Sequence, residues 1–472
     1  MYPKPQYDVQ PDGQTGFNDD RVMIQGFYWE SVRHDHPKWY DIVRERAEAL
    51  NEGRFDLIWL PPPSHAGSLE GYIPKEYFNL SNNYGDFKQH RAMLEALLNK
   101  GVEPIADIVI NHRDGPEGGT IFQNPDWGSD TIVSNDEAFG EPKNKHLPKG
   151  AEEERPLYLP TRKNTEGYDS ARDIDHTKTQ VRRDIIRYLR QLQSMGYRGW
   201  RYDMVHGYLA TRIATYNRAT RPTFCVGEYD WGNQDEQRGW VWNTATVVGD
   251  IKTASCVFDF KTFFKLKYNH TNYSNWYGGS GLICDTKDNI PWKNKAVTFL
   301  ENHDTGYRTD HNGKPQAHHE FDSFANNWEV QQGYAYILTH PGIPTVYWKH
   351  YFDWGDDLQG KIKALINARK IAGVHSGSKL TTQENARQRG IYAAAIDGRY
   401  GHIYVRIGGS DADWQPFNSN YKDYREYAAG DGWKVWVKRQ GNPPVQQAPR
   451  KQPFPIPTYT DPKYIFVQDS EL

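Results

Sequence analysis

The chain has 472 residues, more than one ordinary domain requires and enough for two or three. Its 57 basic and 60 acidic residues leave a formal charge of -3, so charge gives no reason to expect nucleic acid or an anionic membrane as partner. No stretch approaches the roughly 18 to 20 apolar residues of a membrane span, and the opening MYPKPQYDVQPDGQTG lacks the apolar core of a signal peptide. A soluble chain is expected, either cytoplasmic or secreted with its signal already removed.

Eight short apolar runs read as buried parallel strands: 23–29, 55–60, 102–110, 197–204, 223–229, 256–260, 296–301 and 343–348. Amphipathic stretches lie between them. Leu94, Leu97 and Leu98 precede Gly101, and Val181, Ile185, Leu189 and Leu192 recur at helical spacing before Gly196. Eight strand–helix repeats predict an α/β fold, a (β/α)8 TIM barrel over residues 1–112 and 173–380. The interval 113–172 shows no βα unit. So long a loop is improbable in a compact domain, so it is expected to be an irregular domain inserted after the third strand. From about 381 to 440 short alternating runs, IYAAAI, HIYVRI and WKVWVK, predict a C-terminal antiparallel β domain. A Pro-rich tail covers 441–472, and its stretch 441–457, rich in Pro and Gln, is read as an extended linker or disordered end.

Barrel chemistry sits where strands end at the C-terminal face. Here those ends carry Asp107, Asn111 and His112 on the third strand, Arg201, Asp203 and His206 on the fourth, Glu228 on the fifth, and His303 and Asp304 on the seventh. Arg201 and Asp203 are two apart and share one side of their strand. The guanidinium is expected to lower the Asp203 pKa, which suits a nucleophile and equally a structural ion pair. Glu228, after apolar Phe224 and Val226, is expected in drier surroundings that raise its pKa, as a general acid needs. Two carboxyls roughly 5 to 5.5 Å apart would allow retaining glycoside cleavage, with anionic Asp304 stabilising the positive ring and the histidines donating to sugar hydroxyls. A metal hydrolase using these residues as ligands lacks the HxH or HExxH spacing. The aromatic content (16 tryptophans, 31 tyrosines, 19 phenylalanines) fills a core and is also compatible with sugar rings.

DIVINH (107–112), GWRYDMVHGY (199–208), VGEY (226–229) and FLENHDT (299–305) resemble, in order, the four signature segments of the alpha-amylase family. QGFYWES (25–31), EGY (70–72), DIDH (173–176) and GYAYILTHPGIPTVYW (333–348) extend the resemblance, which is to plant-type alpha-amylases and bacterial maltotetraose-forming amylases over roughly 21–440. It implies Asp203 as nucleophile, Glu228 as acid/base and Asp304 as transition-state stabiliser. Arg201, His112 and His303 would line the cleaved ring, Tyr72 would stack on it, and His206 would lie toward the leaving side. It implies a structural calcium ion (Ca2+) held by Asn111, Asp173 and the Gly207 carbonyl, with Asn164 and the Gly167 carbonyl as weaker matches. Substrates would be starch, glycogen and maltooligosaccharides, and a monomer is expected.

Cys225, Cys256 and Cys284 fit no zinc spacing; one disulfide plus a free thiol, or three buried thiols, would satisfy them. The resemblance implies a disulfide between Cys225 and Cys256, which would favour an oxidising compartment. Arg172 departs from the plant-type pattern, where Pro is found, and Glu301 stands where Asp is commoner. The segment 113–172 matches poorly, so product length does not carry over. The rival readings are an exo-acting enzyme releasing one oligosaccharide such as maltotetraose, a transglycosylase, and a glucan-binding protein on an inactive scaffold.

Overall fold

The computed structural model describes residues 16–116, 121–133, 171–230, 232–278, 281–283, 290–306, 308, 324, 326–408, 414–415, 424–439 and 456–472. Eight parallel strands close into a barrel: β1 (Met23–Gln25), β2 (Leu57–Leu60), β3 (Glu103–Ile108), β4 (Gly199–Tyr202), β5 (Phe224–Gly227), β6 (Cys256–Phe258), β7 (Ala296–Thr298) and β8 (Ile343–Tyr347). Each neighbours the next and β8 returns to β1, so no edge is left open. All eight expected strands are present. Every residue of these strands is buried, as expected of a sheet covered on both faces.

Alternation along the strands sorts side chains between the barrel lumen and the helical ring. Trp59, Arg201 and Phe258 face inward, with the Arg201 guanidinium 4.9 Å from the Trp59 ring and that ring 5.3 Å from Phe258. Trp200, Tyr202 and Cys225 face outward against the Ala210–Thr220 helix, where Thr220 and Asn217 meet them.

The helices end where local chemistry stops them. Asp86 caps the Phe87–Asn99 helix, accepting from the Gln89 amide while the Gln89 side chain accepts from the Asp86 amide. The Thr179–Met195 helix buries Val181, Ile185, Leu189 and Leu192 on one face and stops at Gly196, whose φ of +128° suits glycine.

Beyond β3 the chain leaves the barrel and returns as a two-residue antiparallel ladder, His112–Arg113 against Arg172–Asp173. At its root the Arg113 guanidinium sits over the rings of Tyr77, Phe122 and Trp127 at 4.7, 5.0 and 4.6 Å. C-terminal to the barrel, β9 (Lys379–Thr382), β10 (Tyr392–Asp397), β11 (Gly401–Ile407), β12 (Arg425–Gly430) and β13 (Trp433–Arg439) form an antiparallel sheet in the order β9-β10-β11-β13-β12. The two outer strands escape sequence reading because their residues are mostly exposed and do not alternate.

One expectation is corrected. Cys225 and Cys256 are both buried and are not joined in a disulfide. Register explains it: Cys256 lies opposite Val226, so alternation sends the Cys256 side chain inward and that of Cys225 outward. The Cys225 thiol accepts from Asn217 Nδ2 and lies 3.0 Å from Ser255 Oγ. Cys284 lies outside the described residues. Residues 456–472 pack on the barrel, while 441–455, the body of the stretch expected as a linker or disordered end, lie outside the described residues. The Arg187 guanidinium donates to the Pro462 carbonyl, Arg190 to that of Phe466 and Arg182 to that of Leu472, all from the Thr179–Met195 helix.

Candidate active site

At the C-terminal mouth of the barrel one cation organises three acids. Arg201 Nη1 donates to Asp107 Oδ1 at 2.8 Å and to Asp203 Oδ1 at 2.6 Å, while Nη2 pairs with Glu228 Oε1 at 2.8 Å. All four residues are buried. Strand periodicity puts Arg201 and Asp203 on one side of their strand, and the parallel register brings Asp107 opposite Arg201. Glu228 follows directly on β5, whose backbone bonds to β4 continue through the Glu228 amide to the Tyr202 carbonyl.

The charges do not cancel. Burial raises the carboxyls of Asp107 and Asp203 to about 6, against the opposing pull of Arg201. Glu228 is pushed up to about 8, first by burial and then by the negative charges of Asp203 and Asp304, with Arg201 opposing. The depressed Asp203 pKa expected from its pairing with Arg201 is therefore overturned: desolvation outweighs one guanidinium shared among three acids. Arg201 itself is held firmly protonated.

Aromatic and imidazole rings line the same mouth. Tyr72 donates its hydroxyl to Asp107 Oδ2 at 2.9 Å, and Trp59 Nε1 donates to the same oxygen at 3.0 Å. The Tyr72 and His303 rings are parallel within 2°, with centroids 5.1 Å apart. Gln25 donates to His303 Nδ1, which leaves Nε2–H directed at Asp304 Oδ2, 3.1 Å away. Burial lowers the His303 pKa to about 4, so this donor is neutral at neutral pH. His112 donates from Nε2 to the Tyr72 carbonyl at 2.7 Å. Asp304 is the most open of the acids, its side chain 37% exposed. His206 lies near this rim, its Nδ1 3.3 Å from Asp230 Oδ1.

The structure thus gathers Asp203, Glu228, Asp304, Arg201, Tyr72, His112 and His303 at one mouth. Sequence reasoning gave Asp107, Trp59, Gln25 and Trp29 no site role. The signal for Asp107 was available: it ends β3 on the inward parity that Trp59 and Arg201 share.

A second grouping lies beside the first. Asn111 Nδ2 donates to Asp173 Oδ1 at 2.9 Å, and a Cβ at residue 207 would collide with the Asn111 side-chain amide, so glycine there lets Asn111 keep this position. An amide oxygen, a carboxylate and the main chain at Gly207 are the oxygen donors a hard divalent cation takes. Asn164 and Gly167 lie outside the described residues. Among the described residues no three His, Cys, Asp or Glu side chains cluster as metal ligands.

Comparison with known proteins agrees with this geometry. The profile of the alpha amylase catalytic domain matches residues 43–238, and that of the alpha-amylase C-terminal beta-sheet domain matches 371–437. The chain is 31% identical to probable alpha-amylase 2 of Arabidopsis thaliana over 441 residues, covering 88% of this chain and 94% of that protein. It is 32% identical to the glucan 1,4-alpha-maltotetraohydrolase of Stutzerimonas stutzeri, over 79% of this chain and 65% of that one. An Anoxybacillus alpha-amylase structure superposes with a TM-score of 0.61 at 14% identity, covering 90% of this chain and 99% of that one, a likeness of fold. The chain belongs to the alpha-amylase family, retaining glycoside hydrolases that act on starch and maltooligosaccharides.

Proposed function

We propose that the chain hydrolyses internal alpha-1,4 bonds of starch, glycogen and maltooligosaccharides with retained configuration, Asp203 being the nucleophile and Glu228 the general acid and base. The carrying observation is the Arg201 guanidinium, which holds Asp203 through Nη1, shared with Asp107, and Glu228 through Nη2. Protonated Glu228 gives its proton to the glycosidic oxygen as Asp203 attacks the anomeric carbon and the bond to the leaving sugar breaks. Ionised Glu228 then takes a proton from water, which displaces Asp203. Asp304 stabilises the positive ring, Tyr72 packs against it, and Arg201, His112 and His303 keep the acids and that ring in place. His206 lies toward the leaving side. Asn111, Asp173 and the Gly207 carbonyl would hold a calcium ion, with Asn164 and Gly167 completing the set. Bound there, the ion would fasten the root of the 113–172 excursion to the β3 and β4 loops.

Identity to a maltotetraohydrolase favours a second reading, exo-action releasing one oligosaccharide. One experiment separates the readings. Asp203→Asn is expected to lose at least about 10³-fold in kcat while staying folded, and wild-type activity in that variant rejects the nucleophile assignment. Early wild-type products of mixed length support internal attack, whereas one dominant length supports exo-action.

A further inference from the structure

Outside the acids and their partners, one buried cation faces the mouth. Arg308 follows Asp304 by four residues and is 6% exposed. Its guanidinium lies 4.6 Å from the centre of the Trp29 ring. Nη1 stands 3.9 Å from Asp304 Oδ1, an ion-pair distance but too long for a hydrogen bond. Arg308 Nε is buried and has no hydrogen-bond partner among the described residues. A buried donor left unmade is costly.

The rings beneath it are aligned with those of the site. Trp29 is parallel within 5° to both Tyr72 and His303, at a centroid distance of 6.3 Å from each. If Tyr72 packs against the cleaved ring, Trp29 with its guanidinium cover lies one step further along the glucan. Arg308 covers one face of the Trp29 ring, so that face presents donors instead of apolar surface. Glucose hydroxyls are the acceptors such donors suit, and a planar guanidinium resting on an indole is held for bidentate donation.

We propose that Arg308, seated on Trp29 beside Asp304, is a specificity-determining residue that donates hydrogen bonds to the hydroxyls of the glucose unit adjoining the one cleaved. The assignment rests on the proposed hydrolysis of alpha-1,4-glucans. It makes binding depend on substrate length, because only oligosaccharides with a sugar at that position meet the guanidinium.

The test compares wild type, Arg308→Gln and Arg308→Lys on maltooligosaccharides from three to seven units, with KM and kcat measured separately and folding checked by thermal unfolding. For Arg308→Gln, KM is expected to rise about tenfold for the longer members, one charge-assisted hydrogen bond's worth, with kcat within about twofold and the shortest member little affected. Arg308→Lys keeps the charge over Trp29 and loses the planar fork, so it should fall between. An equal loss at every length carried by kcat would overturn the proposal, making Arg308 only a positioning group for Asp304. Unchanged kinetics in both variants would overturn it too. Wild type inactive on all the oligosaccharides would overturn the hydrolytic reading itself, whereas an active wild type matched by its variants removes only the role of Arg308.

Discussion

Glu228 and Asp203 share one guanidinium and each is buried beside two other carboxyls, yet they differ in proton affinity because the hydrogen bond from Arg201 holds down Asp203 and not Glu228. Glu228, near 8, holds its proton at neutral pH; Asp203, near 6, has mostly lost its own. An acid that must be protonated and a nucleophile that must be ionised coexist only between those values. The expected kcat/KM profile on maltooligosaccharide is therefore a bell, falling below about pH 6 as Asp203 gains a proton and above about pH 8 as Glu228 loses one. A profile flat from pH 5 to 9 would contradict this division. Asp107 titrates near Asp203 and is bound to the same nitrogen, so the acid limb belongs to the pair rather than to either carboxyl. Replacing Asp107 with Asn should move that limb downward, because one negative neighbour of Asp203 is gone.

At the scale of strands and loops, what the sequence makes legible follows periodicity. All eight barrel strands are short apolar runs, and residues at their C-terminal ends needed only the two-residue repeat to be placed together. What escaped depends on register between strands. Cys225 and Cys256 look bridgeable on neighbouring strands until pairing puts Cys256 beside Val226, which turns the thiols to opposite faces. Asp107 was visible at a strand end, but its bond to Arg201 comes from the pairing of β3 with β4, which no single segment encodes. The edge strands β9 and β12 carry no apolar alternation because they are largely exposed. Gly207 is legible for another reason: the β4 loop approaches the Asn111 amide so closely that a side chain at 207 would displace it. Gly207→Ala should push these loops apart, lower Tm by several degrees and abolish most of the Tm decrease that a calcium chelator produces in wild type. A chelator without effect on wild-type Tm would remove the calcium reading. Equal chelator sensitivity in variant and wild type would remove Gly207 from it.

On the scale of the whole molecule, the chain's last segment rejoins the barrel after the β domain. Residues 456–472 lie along the Thr179–Met195 helix, where Arg183 pairs with Asp469 at 2.8 Å and Arg190 with Glu471 at 2.5 Å, besides the carbonyl bonds of Arg182, Arg187 and Arg190. Ser194 Oγ accepts from the Thr460 amide, Gln191 donates to the Tyr459 hydroxyl, and the Tyr459 ring meets Phe87 edge-on at 5.1 Å. Exposed ion pairs contribute up to about 1 kcal/mol each, so these two alone do not hold the segment. Val467, which is buried, and the carbonyls bound by guanidiniums that also pack on the helix add to them. A net contribution of about 1–2 kcal/mol corresponds to a Tm change of roughly 1–2 °C for a chain of this size. The bonds of the segment named above run to the helical ring and not to the acids of the mouth, so its effect should fall on stability alone. Deleting residues 456–472 should lower Tm by that amount and leave kcat within about twofold. A truncated chain with unchanged Tm would mean that the docked segment adds no net stability, and one that keeps its Tm but loses activity would couple the segment to the site.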